Sequence, residues 1–234
     1  MSDIRINKRV AELGLASRRE ADALITAGKV LVNGSAATLG QKVLATDSVT
    51  LKGTHATRAY LAYYKGRGIV THSPDTGDTD IATKVRADYK ISNVFPVGRL
   101  DKDSEGLIIL TNDGRITGPL TDPDVQHEKE YEVMVDKPYN NWFLKHMAQG
   151  VQIEGYTTKP ATITPSKNAR KFSLVITEGK KHQIRRMCAA LGYQVESLKR
   201  VRIMNINLGA LKPNQYRTLK DTELKQLLTA LHIS

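Results

Sequence analysis

Apolar and polar positions alternate with one rhythm near the start of the chain and another beyond it. Ile6, Val10 and Leu13 recur at helical spacing, and Gly14 is placed to end that helix. Ser17-Arg18-Arg19-Glu20 reads as a capping box, in which the Ser17 hydroxyl accepts from the Glu20 amide and Glu20 reaches back. Ala21, Leu24 and Ile25 give the second helix an apolar face, and Gly28 stops it. Residues 29–32 read as a short strand, Asn33-Gly34 as a tight turn, and residues 43–51 as a further strand or two. The expected unit over residues 1–52 is therefore helix, helix, small sheet.

Residues 53–59, with Gly53, Thr54 and Thr57, read as a linker. From residue 60 to 234 strand patterns dominate. Residues 60–65 are apolar and aromatic, and a turn follows at Gly66 to Gly68. Residues 94–97 form a short strand, and residues 107–110 are a continuous apolar run, as in a buried strand. Tyr131, Val133 and Val135 alternate with other residues, as do Phe172, Leu174 and Ile176. Residues 142–147 and 180–191 read as helices, the second closed by Gly192. The strands are not each followed by a helix, so the pattern predicts an α+β fold with a largely antiparallel sheet and flanking helices.

Charge narrows the partner. The 234 residues hold 35 Lys and Arg against 24 Asp and Glu, a net charge of +11 and a pI near 9.7. That balance points to a polyanion, although a basic protein without such a partner has the same composition. Cys188 is the single cysteine, so neither an intrachain disulfide nor a cysteine-built zinc site is available. No apolar run approaches the ~20 residues that span a bilayer, and the first residues lack a secretory apolar core. The expectation is a cytoplasmic protein with no membrane partner.

Arg5, Lys8, Arg9, Arg18 and Arg19 crowd the two N-terminal helices. Any one alone reads as solvated surface; together they read as a phosphate-binding face. The stretch RINKRVAELGLASRREADALITAGKVLVNG resembles the S4 RNA-binding domain. The resemblance implies RNA contact by Arg5, Lys8, Arg18 and Arg19.

Common catalytic motifs are absent from the sequence. There is no phosphate loop, no H-E-x-x-H and no G-x-S-x-G, and Gly66-Arg67-Gly68 is too short for a dinucleotide fingerprint. What stands out is VGRLDKDSEGLIILTNDG, residues 97–114, a charged loop between two buried strands. By composition Asp103 is as good a candidate there as Asp101. The string resembles the GRLD-x-x-[ST]-x-GL signature of pseudouridine synthases, in the form found in enzymes of small-subunit and large-subunit ribosomal RNA. The resemblance implies that Asp101 is the catalytic nucleophile, and Arg99 of the same string is placed among the RNA contacts.

Further strings extend this resemblance over nearly the whole chain. EKEY, residues 128–131, is similar to a K-x-Y motif whose Tyr packs on the target base, which implies that role for Tyr131; by spacing alone Tyr131 reads equally as a core residue. In EGKKHQIRRM, residues 178–187, a wheel of about 100° per residue groups Ile184, Met187, Cys188 and Leu191 as a buried stripe. Arg185 lies at the edge of that stripe and Arg186 nearly opposite. The resemblance makes Arg185 the partner of the catalytic Asp, which would hold it ionised. In LKRVRI, residues 198–203, it implies that Leu198 walls the uracil pocket and that Lys199 and Arg200, with Lys180, Lys181 and Arg186, meet RNA backbone. One departure is Gly66 in Lys65-Gly66-Arg67-Gly68, where the family has Lys-Pro-x-Gly.

The implied reaction is an isomerisation of uridine that uses no cofactor and no metal. The implied substrate is structured RNA, foremost 23S ribosomal RNA, acted on by a monomer. Transfer RNA, or both RNAs, is the alternative substrate. A non-catalytic RNA-binding ribosome-assembly factor on the same fold is the rival of another class.

Overall fold

A computed structural model describes residues 3–13, 15–16, 18–44, 46–52, 58–72, 77–91, 94–122 and 124–233. The Gly14 stop, the Ser17 capping box and residues 53–57 of the expected linker lie outside the described residues. Among the described residues no helix is long and apolar enough to cross a membrane.

The N-terminal helices run Ile6–Glu12 and Arg18–Thr26. They close over a sheet ordered Ser35–Ala36, Val30–Val32, Val49–Leu51, with a separate short pair Ile4–Arg5 and Lys42–Val43. Ile6, Val10, Ala21, Ile25, Val30 and Val43 form their shared core. Asn33 and Gly34 both take positive φ, 49° and 85°, which is what a two-residue hairpin turn requires.

The larger sheet is ordered Thr162–Pro165, Lys171–Ile176, Lys129–Val135, Val195–Ile203, Glu105–Thr111, Tyr60–Lys65, Tyr216–Thr218. Ile206–Asn207 and Phe95–Val97 attach as side strands. All pairs are antiparallel except Val195–Ile203 with Glu105–Thr111, at the centre of the sheet. The α+β expectation holds. Alternation along Lys129–Val135 and Lys171–Ile176 buries Tyr131, Val133, Val135, Phe172, Leu174 and Ile176 against Phe143, Met147, Ile184, Met187 and Cys188. These last five come from the helices Asn141–Gln149 and Gln183–Ala190. Each large apolar side chain so buried contributes about 1.5–3 kcal/mol. The central strands Tyr60–Lys65 and Glu105–Thr111 are buried on both faces, which explains their unbroken apolar runs.

Three helices stood outside the sequence reading. Ile81–Tyr89 carries an Asp80 cap that accepts from the Thr83 N–H at 2.8 Å, Thr117–Thr121 buries Leu120, and Asp221–Ala230 packs Leu227 under the sheet. Another helix is shorter than expected: Gln183–Ala190 replaces 180–191, because His182 is left-handed and cannot continue a helix backwards. Helix Ile6–Glu12 also meets the turn Gly114–Ile116 of the larger sheet. A Cβ on Gly114 would overlap the Ala11 backbone carbonyl, so glycine permits this close approach.

Candidate active site

Residues 98–104 link Phe95–Val97 to Glu105–Thr111 at the end of the parallel pair. Gly106 opens that pair: at φ +110° it lies where a Cβ would collide with the Arg200 backbone. The loop makes almost no regular structure, so its carbonyls need other donors. Each finds one. Arg99 O accepts from Arg200 Nη1 at 3.3 Å, and Leu100 O from the Thr71 hydroxyl at 2.7 Å. The same Thr71 oxygen accepts from the Leu100 N–H at 3.0 Å. Asp101 O accepts from the Ser104 N–H at 3.0 Å, and Lys102 O from the Gly68 N–H at 2.9 Å. Asp103 O accepts from Arg185 Nη2 at 3.2 Å, and Ser104 O from Lys65 Nζ at 2.7 Å. Side chains from four distant segments thereby hold the loop before any substrate arrives.

Lys65 is the most buried of these donors, with no exposed surface. Its Nζ also donates to Gly66 O at 3.0 Å and reaches Lys102 O at 3.4 Å. Burial lowers its pKa to about 8, opposed by the negative charges of Asp101, Asp103 and Glu105. Beside it, the Gly66 N–H donates to Asn214 Oδ1 at 3.2 Å, a bond that proline at this position cannot make.

The Asp101 carboxylate is partly open to solvent, its side chain 37% exposed. The basic group that meets it is His182, whose Nε2 lies 3.5 Å from Oδ1. The Arg185 pair expected with Asp101 is not among the ion pairs of the described residues, and the bonds of this side chain go to the backbone. The Arg185 guanidinium is taken up by two carbonyls, Val195 O at 3.0 Å and Asp103 O, and so grips the loop backbone rather than the carboxylate.

Leu100, the residue before Asp101, belongs to the same apolar cluster as Tyr131 and Leu198, the two proposed walls of the uracil pocket. Tyr131 is 7% exposed, mostly a core residue with an edge showing. Arg200 is a correction. It is 4% exposed and donates through Nε to Leu107 O at 2.7 Å, so it braces the loop from inside and offers no charge to RNA backbone. Lys199 alternates to the opposite face, where it stands 3.6 Å from Glu132 and over the Tyr64 ring. Arg186 pairs with exposed Glu154 at 2.8 Å. Lys180, Lys181 and Arg99 are exposed, as are Lys8, Arg18 and Arg19 on the N-terminal helices and Arg5 on the strand Ile4–Arg5, where a helical position was expected. Burial lowers the His72 pKa, and the charges of Arg99 and Arg19 act in the same direction.

A family model for RNA pseudouridylate synthase matches residues 59–190, more than half of the chain. The chain belongs to the RNA pseudouridine synthase family. A model of the S4 domain matches residues 4–49. Dual-specificity RNA pseudouridine synthase RluF of Escherichia coli (strain K12) is 39% identical over all of this chain and 81% of its own length. Ribosomal large subunit pseudouridine synthase B of Bacillus subtilis (strain 168) is 35% identical over 95% of both chains. A crystal structure of a pseudouridylate synthase matches 96% of this chain and 99% of its own, with a TM-score of 0.70 and 29% identity.

For this RNA pseudouridine synthase the sequence reading missed three site residues. Lys65 was seen as part of a turn string, His182 as a position in EGKKHQIRRM, and Thr71 not at all. Only the first two lay in strings that could have flagged them; nothing local marks Thr71, whose partner is 29 positions away.

Proposed function

We propose that this RNA pseudouridine synthase converts a uridine of large-subunit ribosomal RNA, with Asp101 as its nucleophile. The observation that carries the reading is the fixed loop. Every carbonyl from Arg99 to Ser104 is hydrogen-bonded, yet the Asp101 carboxylate stays partly exposed beside the Leu100, Tyr131 and Leu198 cluster. A carboxylate held still and accessible suits covalent catalysis. The names of the B. subtilis and E. coli relatives support a large-subunit ribosomal substrate and an assay on more than one RNA.

The reaction breaks the C1′–N1 bond, turns the uracil and joins C1′ to C5; C5 loses a proton and N1 gains one. Nothing is oxidised and no group is transferred away. Tyr131 and Leu198 bound the freed base. Arg185 acts through the Asp103 carbonyl to keep the loop in place. The target must leave its stack, which costs a few kcal/mol. Contacts to RNA backbone by Arg99, Lys180 and Lys181, and by Arg5, Lys8, Arg18 and Arg19 of the S4 domain, offset that cost.

The test maps pseudouridines on unmodified ribosomal and transfer RNA after incubation with the wild type and Asp101→Asn. The expected result is new sites on large-subunit RNA with the wild type, none with the variant, and RNA affinity within about twofold. A fully active variant overturns the nucleophile assignment, and sites on transfer RNA alone overturn the ribosomal substrate.

A further inference from the structure

We propose that His182 is a positioning residue for Asp101, holding its carboxylate for attack; this rests on the reading of Asp101 as nucleophile. Three observations carry it. His182 Nε2 lies 3.5 Å from Asp101 Oδ1, in ion-pair range and slightly long for a hydrogen bond.

The other cations near this carboxylate are engaged elsewhere. Arg185 is occupied by the carbonyls of Val195 and Asp103, and Lys65 by those of Gly66, Lys102 and Ser104. Both hydrogen-bond to the loop's backbone. Among the described residues His182 is the one in ion-pair range of the carboxylate itself.

The third observation is how His182 is presented. It occupies the N-cap position of Gln183–Ala190 in the left-handed region, φ 53° and ψ 27°, and its side chain caps nothing. A non-glycine residue in that region is uncommon and marks a constrained position. The turn is instead built by Gln183. Its Oε1 accepts from the Lys180 N–H at 3.0 Å, and its Nε2 donates to Glu178. Gln183 thus ties down the turn that leads into the helix, and the imidazole is left to face Asp101. Both side chains are accessible, 49% for His182 and 37% for Asp101, as groups at the mouth of a substrate site must be. The contact falls on Oδ1 and leaves Oδ2 for the substrate.

The test compares wild type, His182→Ala, His182→Gln and Asp101→Asn in single-turnover assays at saturating enzyme, with RNA Kd and melting temperature measured separately. His182→Ala is expected to slow the chemical step about 10- to 100-fold with Kd within about twofold. His182→Gln, which keeps an N–H donor at similar reach, is expected to recover most of the rate. A weaker Kd with an unchanged rate at saturation overturns the proposal in favour of an RNA-backbone contact. Equal loss in both His182 variants with a lowered melting temperature overturns it in favour of a purely structural role. A wild-type rate in His182→Ala alongside an inactive Asp101→Asn overturns this inference alone, whereas an active Asp101→Asn overturns the nucleophile reading itself.

Discussion

Lys65 Nζ donates to the Ser104 carbonyl oxygen at 2.7 Å from a position with no exposed surface. An ammonium without solvent contact has to find its acceptors in the protein, and here they are carbonyls of the loop that carries Asp101 and of the adjoining turn. The bond ties the strand Tyr60–Lys65 to a loop about forty positions later.

Lys65 is expected to make activity sensitive to alkaline pH. Burial lowers its folded pKa to about 8, while the unfolded chain keeps the usual value near 10.5. Below about 8 both states hold the proton and this group contributes no pH slope. Between the two values the unfolded state binds more protons, so the group's contribution to stability rises with pH. The ammonium grip on the loop weakens over the same range. A single-turnover rate that falls above pH 8 without loss of fold is the expected result. Lys65→Met should lower the rate about 100-fold at neutral pH and abolish that alkaline limb.

Gly66→Pro should destabilise the protein by about 1–3 kcal/mol. It removes the N–H bonded to Asn214, and a Cβ at position 66 would sit 2.8 Å from Asn214 Oδ1. Urea unfolding measures the loss, and Asn214→Ala in the same chain should recover part of it by removing the clash.

Arg200 and Arg99 should separate structure from RNA binding. Arg200→Met leaves Leu107 O and Arg99 O without their side-chain donor, at about 1–3 kcal/mol each, and should leave the salt dependence of RNA affinity unchanged. Arg99→Ala is exposed and should instead reduce the salt slope by about one, with stability unchanged.

Gly114→Ala should loosen the S4 domain. Its Cβ overlaps the Ala11 carbonyl, so helix Ile6–Glu12 must shift, costing about 1–3 kcal/mol. Faster amide exchange across residues 6–12 than in the wild type is the expected signature.

Cys188 is buried, and desolvation pushes its thiol pKa up to about 12. A thiol reagent at pH 8 should leave the folded protein unlabelled and react with one equivalent after denaturation.

Hydrophobic periodicity by itself determined the α+β class, both N-terminal helices, the strands around residues 60–65, 107–110 and 129–135, and the charged loop between buried strands. Those features follow from which face of each element must leave water, and that is written locally. One consequence was legible and passed over: Leu198 and Arg200 are two apart on a strand, so an inward Leu198 implies an inward Arg200. The tertiary structure alone decided what holds Asp101. Thr71, Lys65, Arg185 and Arg200 reach the loop from 29 to 101 positions away, and no local pattern encodes that convergence. It also decided that Arg185 grips backbone while His182 faces the carboxylate. That choice turns on a left-handed residue starting the helix at Gln183, which delays the helix by three residues and exposes the imidazole where regular helical spacing predicted a turn already wound.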